Sequence, residues 1–143
     1  MHGTTRAPMA AFIMKKNIDE MGLDLPFEIL ARGLFQHFPE PLNPKSDAVL
    51  IGNGINTEGY RSEKFSDDEV TDKTIIFAMD NNARDILLSS YSSTDEDNTF
   101  VLAYFVGEEL ETLNPYGEPI MTYGLCYEAL KATTGKLIGK ITD

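Results

Sequence analysis

Thr74-Ile75-Ile76-Phe77-Ala78-Met79 runs without a charge into Asp80-Asn81-Asn82-Ala83, and a second apolar run, Thr99-Phe100-Val101-Leu102-Ala103-Tyr104-Phe105, follows the polar stretch Ser92 to Asn98. A strand with one wet face alternates polar and apolar residues. A run without alternation is the pattern of a strand buried on both faces, as in a parallel sheet. Asp80 stands where a carboxylate satisfies the free N–H groups of a helix start, so a helix from Asp80 to about Tyr91 is expected between two strands, Thr74–Met79 and Thr99–Phe105. Strand, helix, strand predicts an α/β fold, a three-layer α/β/α arrangement around a parallel sheet with right-handed crossovers. Ligands in such folds bind at the carboxyl ends of the strands.

Working outward, Met9, Ala10, Phe12, Ile13, Ile18 and Met21 recur at helical spacing from Arg6 to Met21, with Pro8 in the first turn and Gly22 as the stop. Phe27 to Ala31 is a short β-rich run, the expected first strand, ended by Arg32-Gly33. Phe35 to Pro44 carries three prolines and reads as a surface loop. Ser46 is expected to cap a helix closed by Gly52-Asn53-Gly54. Ser66-Asp67-Asp68-Glu69 has the spacing of a capping box, and its acidic cluster reads as a solvated helix start, since a metal site would need ligands from elsewhere. Gly107 to Pro119 is a long acidic loop. Beyond Ile120, the residues Met121, Tyr123, Leu125, Cys126, Tyr127, Leu130, Leu137 and Ile138 predict a final helix with an apolar face.

The chain has 143 residues, 42% of them hydrophobic, which suits one domain over residues 1–143 with one core rather than a disordered segment. A formal net charge of -11 repels nucleic acid and anionic membrane surfaces over about 8 Å at physiological salt. There is no run of about 18 apolar residues to span a bilayer and no basic-then-apolar signal segment, so a cytoplasmic location is expected. The single cysteine, Cys126, has no disulfide partner in the chain and reads as a buried structural thiol, with no flanking base or helix start to lower its pKa. Nothing points to a metal or another cofactor.

Chemistry concentrates at the first helix. His2, Gly3, Thr4, Thr5 and Arg6 lie where unpaired backbone N–H groups and the positive end of a helix dipole converge. Gly3 allows close backbone approach, the threonine hydroxyls donate, and the planar fork of Arg6 matches two phosphate oxygens. Taken alone this pattern also describes an ordinary exposed helix start. His2 adjoins the loop and His37 sits in the proline-rich loop, where a solvent-facing ring is the plainer reading.

The order of several separated motifs is more specific. Thr5-Arg6-Ala7-Pro8-Met9-Ala10-Ala11, then Arg32-Gly33-Leu34, then Pro39-Glu40-Pro41-Leu42-Asn43-Pro44, then Ile75 to Asp80, then Asn114-Pro115-Tyr116-Gly117 and a tyrosine-rich final helix resemble the low-molecular-weight protein tyrosine phosphatases over almost the whole chain. In that family a phosphate loop, Cys, five residues, then Arg-Ser-Pro, precedes the first helix, and the Asp of an Asp-Pro-Tyr is the general acid. The resemblance implies that Arg6 grips the phosphoryl oxygens and that Pro115 and Tyr116 form the site rim.

Three departures qualify it. Six residues before Arg6, the place of the family's nucleophilic cysteine, falls one residue before Met1; the serine after the arginine is Ala7; and the acid position is Asn114, whose amide gives no proton to a leaving group. General-acid help is worth about 10² to 10⁴ in rate. Glu108, Glu109, Glu111 and Glu118 flank Asn114 and are the candidate substitute acids. The family's first central strand also has no counterpart here, which leads to the expectations that Met1 is an internal methionine and that unpaired sheet edges favour self-association. The resemblance therefore implies a phosphatase-like domain that binds a phosphoryl group or similar oxyanion with hydrolysis impaired, acting on a phosphotyrosine-containing protein or small oxyanion. A pseudophosphatase serving as a regulatory or protein-binding module is the alternative; the chemistry of the related arsenate reductases needs more than one cysteine.

Overall fold

The computed structural model describes residues 3–142, so His2 lies outside them. The chain forms two compact units, residues 1–64 with 113–143 and residues 65–112.

In the larger unit, helix α1 (Arg6–Glu20) packs against the long helix α5 (Ile120–Thr142), and α2 (Pro44–Gly52) packs on both. Met9 and Ile13 of α1 meet a core that includes Tyr123, Cys126, Leu130, Leu137 and Ile138, all 3% exposed or less. Burial of each large aliphatic side chain contributes about 1.5–3 kcal/mol. Asn17 donates to the Thr134 hydroxyl across the two helices at 3.2 Å, so the seam also has a polar tie. The C-terminal stop of α1 follows expectation: Gly22, at φ +67°, donates to the Asp19 carbonyl.

The start of α2 differs from the sequence reading. Asn43, not Ser46, is the N-cap: its side chain accepts from the N–H groups of Lys45 and Ser46, and Pro44 occupies the first turn, where a missing N–H costs nothing. Ser46 is fully buried. The expected strand Phe27–Ala31 also does not form. Phe27 and Leu30 are 45% and 57% exposed, and pairing occurs further on, at a single parallel bridge between Gly33 and Lys64 in which the Gly33 N–H donates to Glu63. β-propensity describes fit to a pleated surface, and this run lacks a partner edge. On α5, Met121 and Leu125 face outward, 78% and 61% exposed, so the buried face is narrower than its apolar content.

In the smaller unit, β1 (Ile76–Ala78) and β2 (Thr99–Val101) pair in parallel, with Phe77 opposite Phe100. Helix α3 (Asn81–Ser90) connects them and packs on both strands; the Asp80 carboxylate caps it by accepting from Ala83 N–H at 2.8 Å. Both strands are shorter than expected. Ile75 is 53% exposed, and after Val101 the chain turns directly into a one-turn helix α4 (Leu102–Phe105). An apolar run fits either a buried strand or a buried helical turn, and here Phe105 folds back onto Phe77 and Phe100, with ring centroids 5.0 and 4.9 Å away. The capping box at Ser66 forms as read, on a 3-10 turn (Asp67–Glu69).

Candidate functional site

The start of α1 is built largely from backbone. Gly3 is buried at φ +76°, a conformation in which an L side chain is strained. A Cβ there would also lie 2.9 Å from the Gly33 nitrogen, so two glycine backbones pass each other where neither a side chain nor a different turn fits. The Gly3 carbonyl accepts from the Tyr60 hydroxyl at 2.5 Å, and the Thr4 carbonyl accepts from the Asn43 N–H at 2.9 Å. Three distant segments thus hold the loop from outside.

Thr5 is the N-cap residue, but its hydroxyl makes no capping hydrogen bond; Thr4 and Thr5 are half-buried. Arg6 opens the helix and is only 9% exposed. Its charge is felt at Cys126 on α5: burial pushes that thiol up to about 11, and the Arg6 guanidinium pulls the other way. The Cys126 thiol is fully buried and reaches the Leu113 carbonyl at 3.4 Å, one residue before Asn114. A neutral thiol packed in this way is a poor nucleophile.

The Asn114 turn belongs to the same unit as Gly3–Arg6. The Asn114 side-chain oxygen accepts from the Tyr116 N–H at 3.2 Å, an Asx turn, and Pro115 beneath it is fully buried, while Asn114 is exposed and Tyr116 is 71% exposed. Among the carboxyl groups considered as substitute acids, Glu111 accepts the Asn81 N–H at the start of α3 at 2.5 Å. Glu118 is exposed, and its carbonyl accepts from the Lys45 ammonium at 2.7 Å. His37 is exposed in the proline-rich loop. Among the described residues no cluster of three or more His, Cys, Asp or Glu side chains is arranged to hold a metal ion, and no helix is long and apolar enough to cross a membrane.

Sequence reasoning did not find Tyr60, Asn43 or Gly33 as partners of the loop. Asn43-Pro44 carried a legible helix-start signature; Tyr60 carried no local signal at all.

The family model for the low molecular weight phosphotyrosine protein phosphatases matches residues 1–143. The chain belongs to that family. Among its phosphatase relatives it is 28% identical over 134 residues to a low molecular weight protein-tyrosine-phosphatase, PtpB, of Staphylococcus haemolyticus, covering 94% of this chain and 90% of the relative. The low molecular weight protein tyrosine phosphatase of T. tengcongensis superposes with a TM-score of 0.88 at 28% identity, over 98% of this chain and 94% of that one. The YwlE arginine phosphatase of Geobacillus stearothermophilus gives 0.85 at 25% identity, over 99% and 88%. These likenesses establish the α/β phosphatase fold, with its small parallel sheet and several helices.

Proposed function

We propose that this phosphatase-family chain is a single domain that binds a phosphoryl group or a similar oxyanion at Gly3–Arg6 and hydrolyses it poorly or not at all. The observation that carries the reading is the loop held at φ +76° against Gly33, beside a buried guanidinium that opens a 15-residue helix. Such a helix start offers convergent N–H donors and a positive dipole end, and a bidentate arginine adds charge-assisted hydrogen bonds. Thr4 and Thr5 belong to the same seat, and Pro115 and Tyr116 to its rim.

Weak hydrolysis follows from the residues present. Asn114 has no proton for a leaving group, Ala7 has no hydroxyl to stabilise a thiolate, and Cys126 is buried with its thiol held neutral. The seat recognises the phosphoryl group rather than its carrier, and relatives named for tyrosine and for arginine phosphatase activity share the fold. Phosphoproteins or small oxyanions met in the cytoplasm are the partners this reading assigns.

A second reading, a regulatory module that docks a protein through the same region, is favoured by the exposed Leu113, Tyr116, Ile120 and Met121 around the Asn114 turn. Calorimetric titration with inorganic phosphate and with vanadate, alongside p-nitrophenyl phosphate turnover, separates these ideas. Binding without appreciable turnover, weakened at least about 100-fold by Arg6→Ala and only partly restored by Arg6→Lys, is expected from a lost bidentate charged contact. Binding that survives Arg6→Ala in a folded protein would rule out the oxyanion reading; efficient turnover would rule out impaired hydrolysis.

A further inference from the structure

Two consecutive carbonyls of the loop, those of Gly3 and Thr4, are turned into the protein, one toward the Tyr60 hydroxyl and the other toward the Asn43 N–H. In a trans peptide the C=O and N–H point in opposite directions. Fixing the Gly3 carbonyl therefore also aims the Thr4 N–H away from Tyr60, and fixing the Thr4 carbonyl aims the Thr5 N–H away from Asn43. The donors of the loop are oriented by what holds the acceptors behind them.

We propose that Tyr60 is a positioning residue of the oxyanion seat, its hydroxyl locking the Gly3–Thr4 peptide so that the Thr4 N–H faces the bound anion. This rests on the reading of Gly3–Arg6 as an oxyanion site. Tyr60 lies 57 residues from Gly3 and touches no ligand in this scheme. Its ring is half-buried and tilts against Phe12 at 5.9 Å, so the hydroxyl is delivered from a packed side chain rather than a free one. Burial pushes the phenol up to about 12, with Arg32 opposing and Glu63 adding to the rise. The group therefore remains a neutral donor wherever phosphate binding is measured. Gly33 closes the space beside Gly3, its nitrogen 2.9 Å from where a Cβ would stand, so the residue before this peptide is confined as well.

Tyr60→Phe removes the donor and keeps the ring. Its phosphate and vanadate dissociation constants should rise about tenfold, the size of one well-placed hydrogen bond. A general loosening of the fold would not select one amide, so the second measurement is the ¹H–¹⁵N shift of the Thr4 amide on adding phosphate. It should be large in the parent chain and reduced in Tyr60→Phe, with the melting temperatures close. Parent-like affinity and an unchanged Thr4 shift in Tyr60→Phe, while Arg6→Ala has lost binding, would overturn the role of Tyr60 and leave the oxyanion site standing. A parent chain that binds neither anion would overturn both.

Discussion

The loop Gly3–Arg6 and the turn Leu113–Tyr116 belong to one compact unit but are built in opposite ways. The loop is gripped from outside by Tyr60, Asn43 and Gly33, and it ends in a buried arginine. The turn is organised mainly by itself: the Asn114 side chain accepts from Tyr116 two residues on, Pro115 is its anchor, and the rest is exposed. In the proposed reading the loop holds the phosphoryl group with its glycine turn and arginine, and the turn, which the resemblance puts at the place of the family's general acid, carries an amide. Binding depends on orientation supplied by many contacts, whereas proton donation depends on one functional group that a single substitution removes.

The strongest way to break this contrast is to disturb the glycine crossing. Gly3→Val should cost about 3 kcal/mol of stability, since it combines backbone strain at φ +76° with a clash against the Gly33 backbone, and should abolish phosphate binding. Chemical denaturation reads the first effect and calorimetry the second. A stable variant with parent-like affinity would mean that the crossing does not hold the loop.

The Cys126 thiol sharpens the same comparison from the core side. Its folded pKa is raised from 9.0 to about 11, so the neutral thiol favours the folded state fully below pH 9, and that contribution fades as the pH climbs toward 11 because only the unfolded chain ionises easily. A shift of this size corresponds to roughly 3 kcal/mol. The Cys126→Ala variant should therefore lose less stability than the parent between pH 9 and 11 in urea melts. Equal losses would show that the buried tyrosines, not this thiol, govern the alkaline limit.

The smallest effect belongs to the turn. Asn114→Asp keeps an oxygen for the Tyr116 N–H, and a surface change of this kind should move stability by no more than about 0.5 kcal/mol and weaken phosphate binding no more than about threefold. A larger fall in stability, measured by thermal melting, would reveal that the amide holds more of the turn than the Asx contact.

The long helices were legible because each repeats its pattern over several turns: α1 (Arg6–Glu20) stops just before Gly22, α3 starts from its Asp80 cap, and α5 starts at Ile120, close to the places the sequence marks. Short apolar runs were less so. Thr99–Phe105 splits between a strand and a helical turn because only tertiary packing of Phe105 on Phe77 and Phe100 separates the two outcomes. At the candidate site, motif order singled out Gly3, Arg6 and Asn114 but gave no sign of Tyr60. Its part depends on a hydrogen bond across 57 residues that no local spacing encodes.

Sequence alone determined the chemistry on offer: an acidic chain, one thiol, an arginine after a glycine-threonine loop, and an asparagine ahead of a proline-tyrosine pair. Residue identity is enough to say which groups carry charge or protons. Tertiary structure decided which way those groups are turned. The Tyr60 and Asn43 contacts fix the loop carbonyls, the Gly33 backbone closes the space at Gly3, and burial keeps Cys126 neutral, because orientation and solvent exclusion arise only when distant segments pack together.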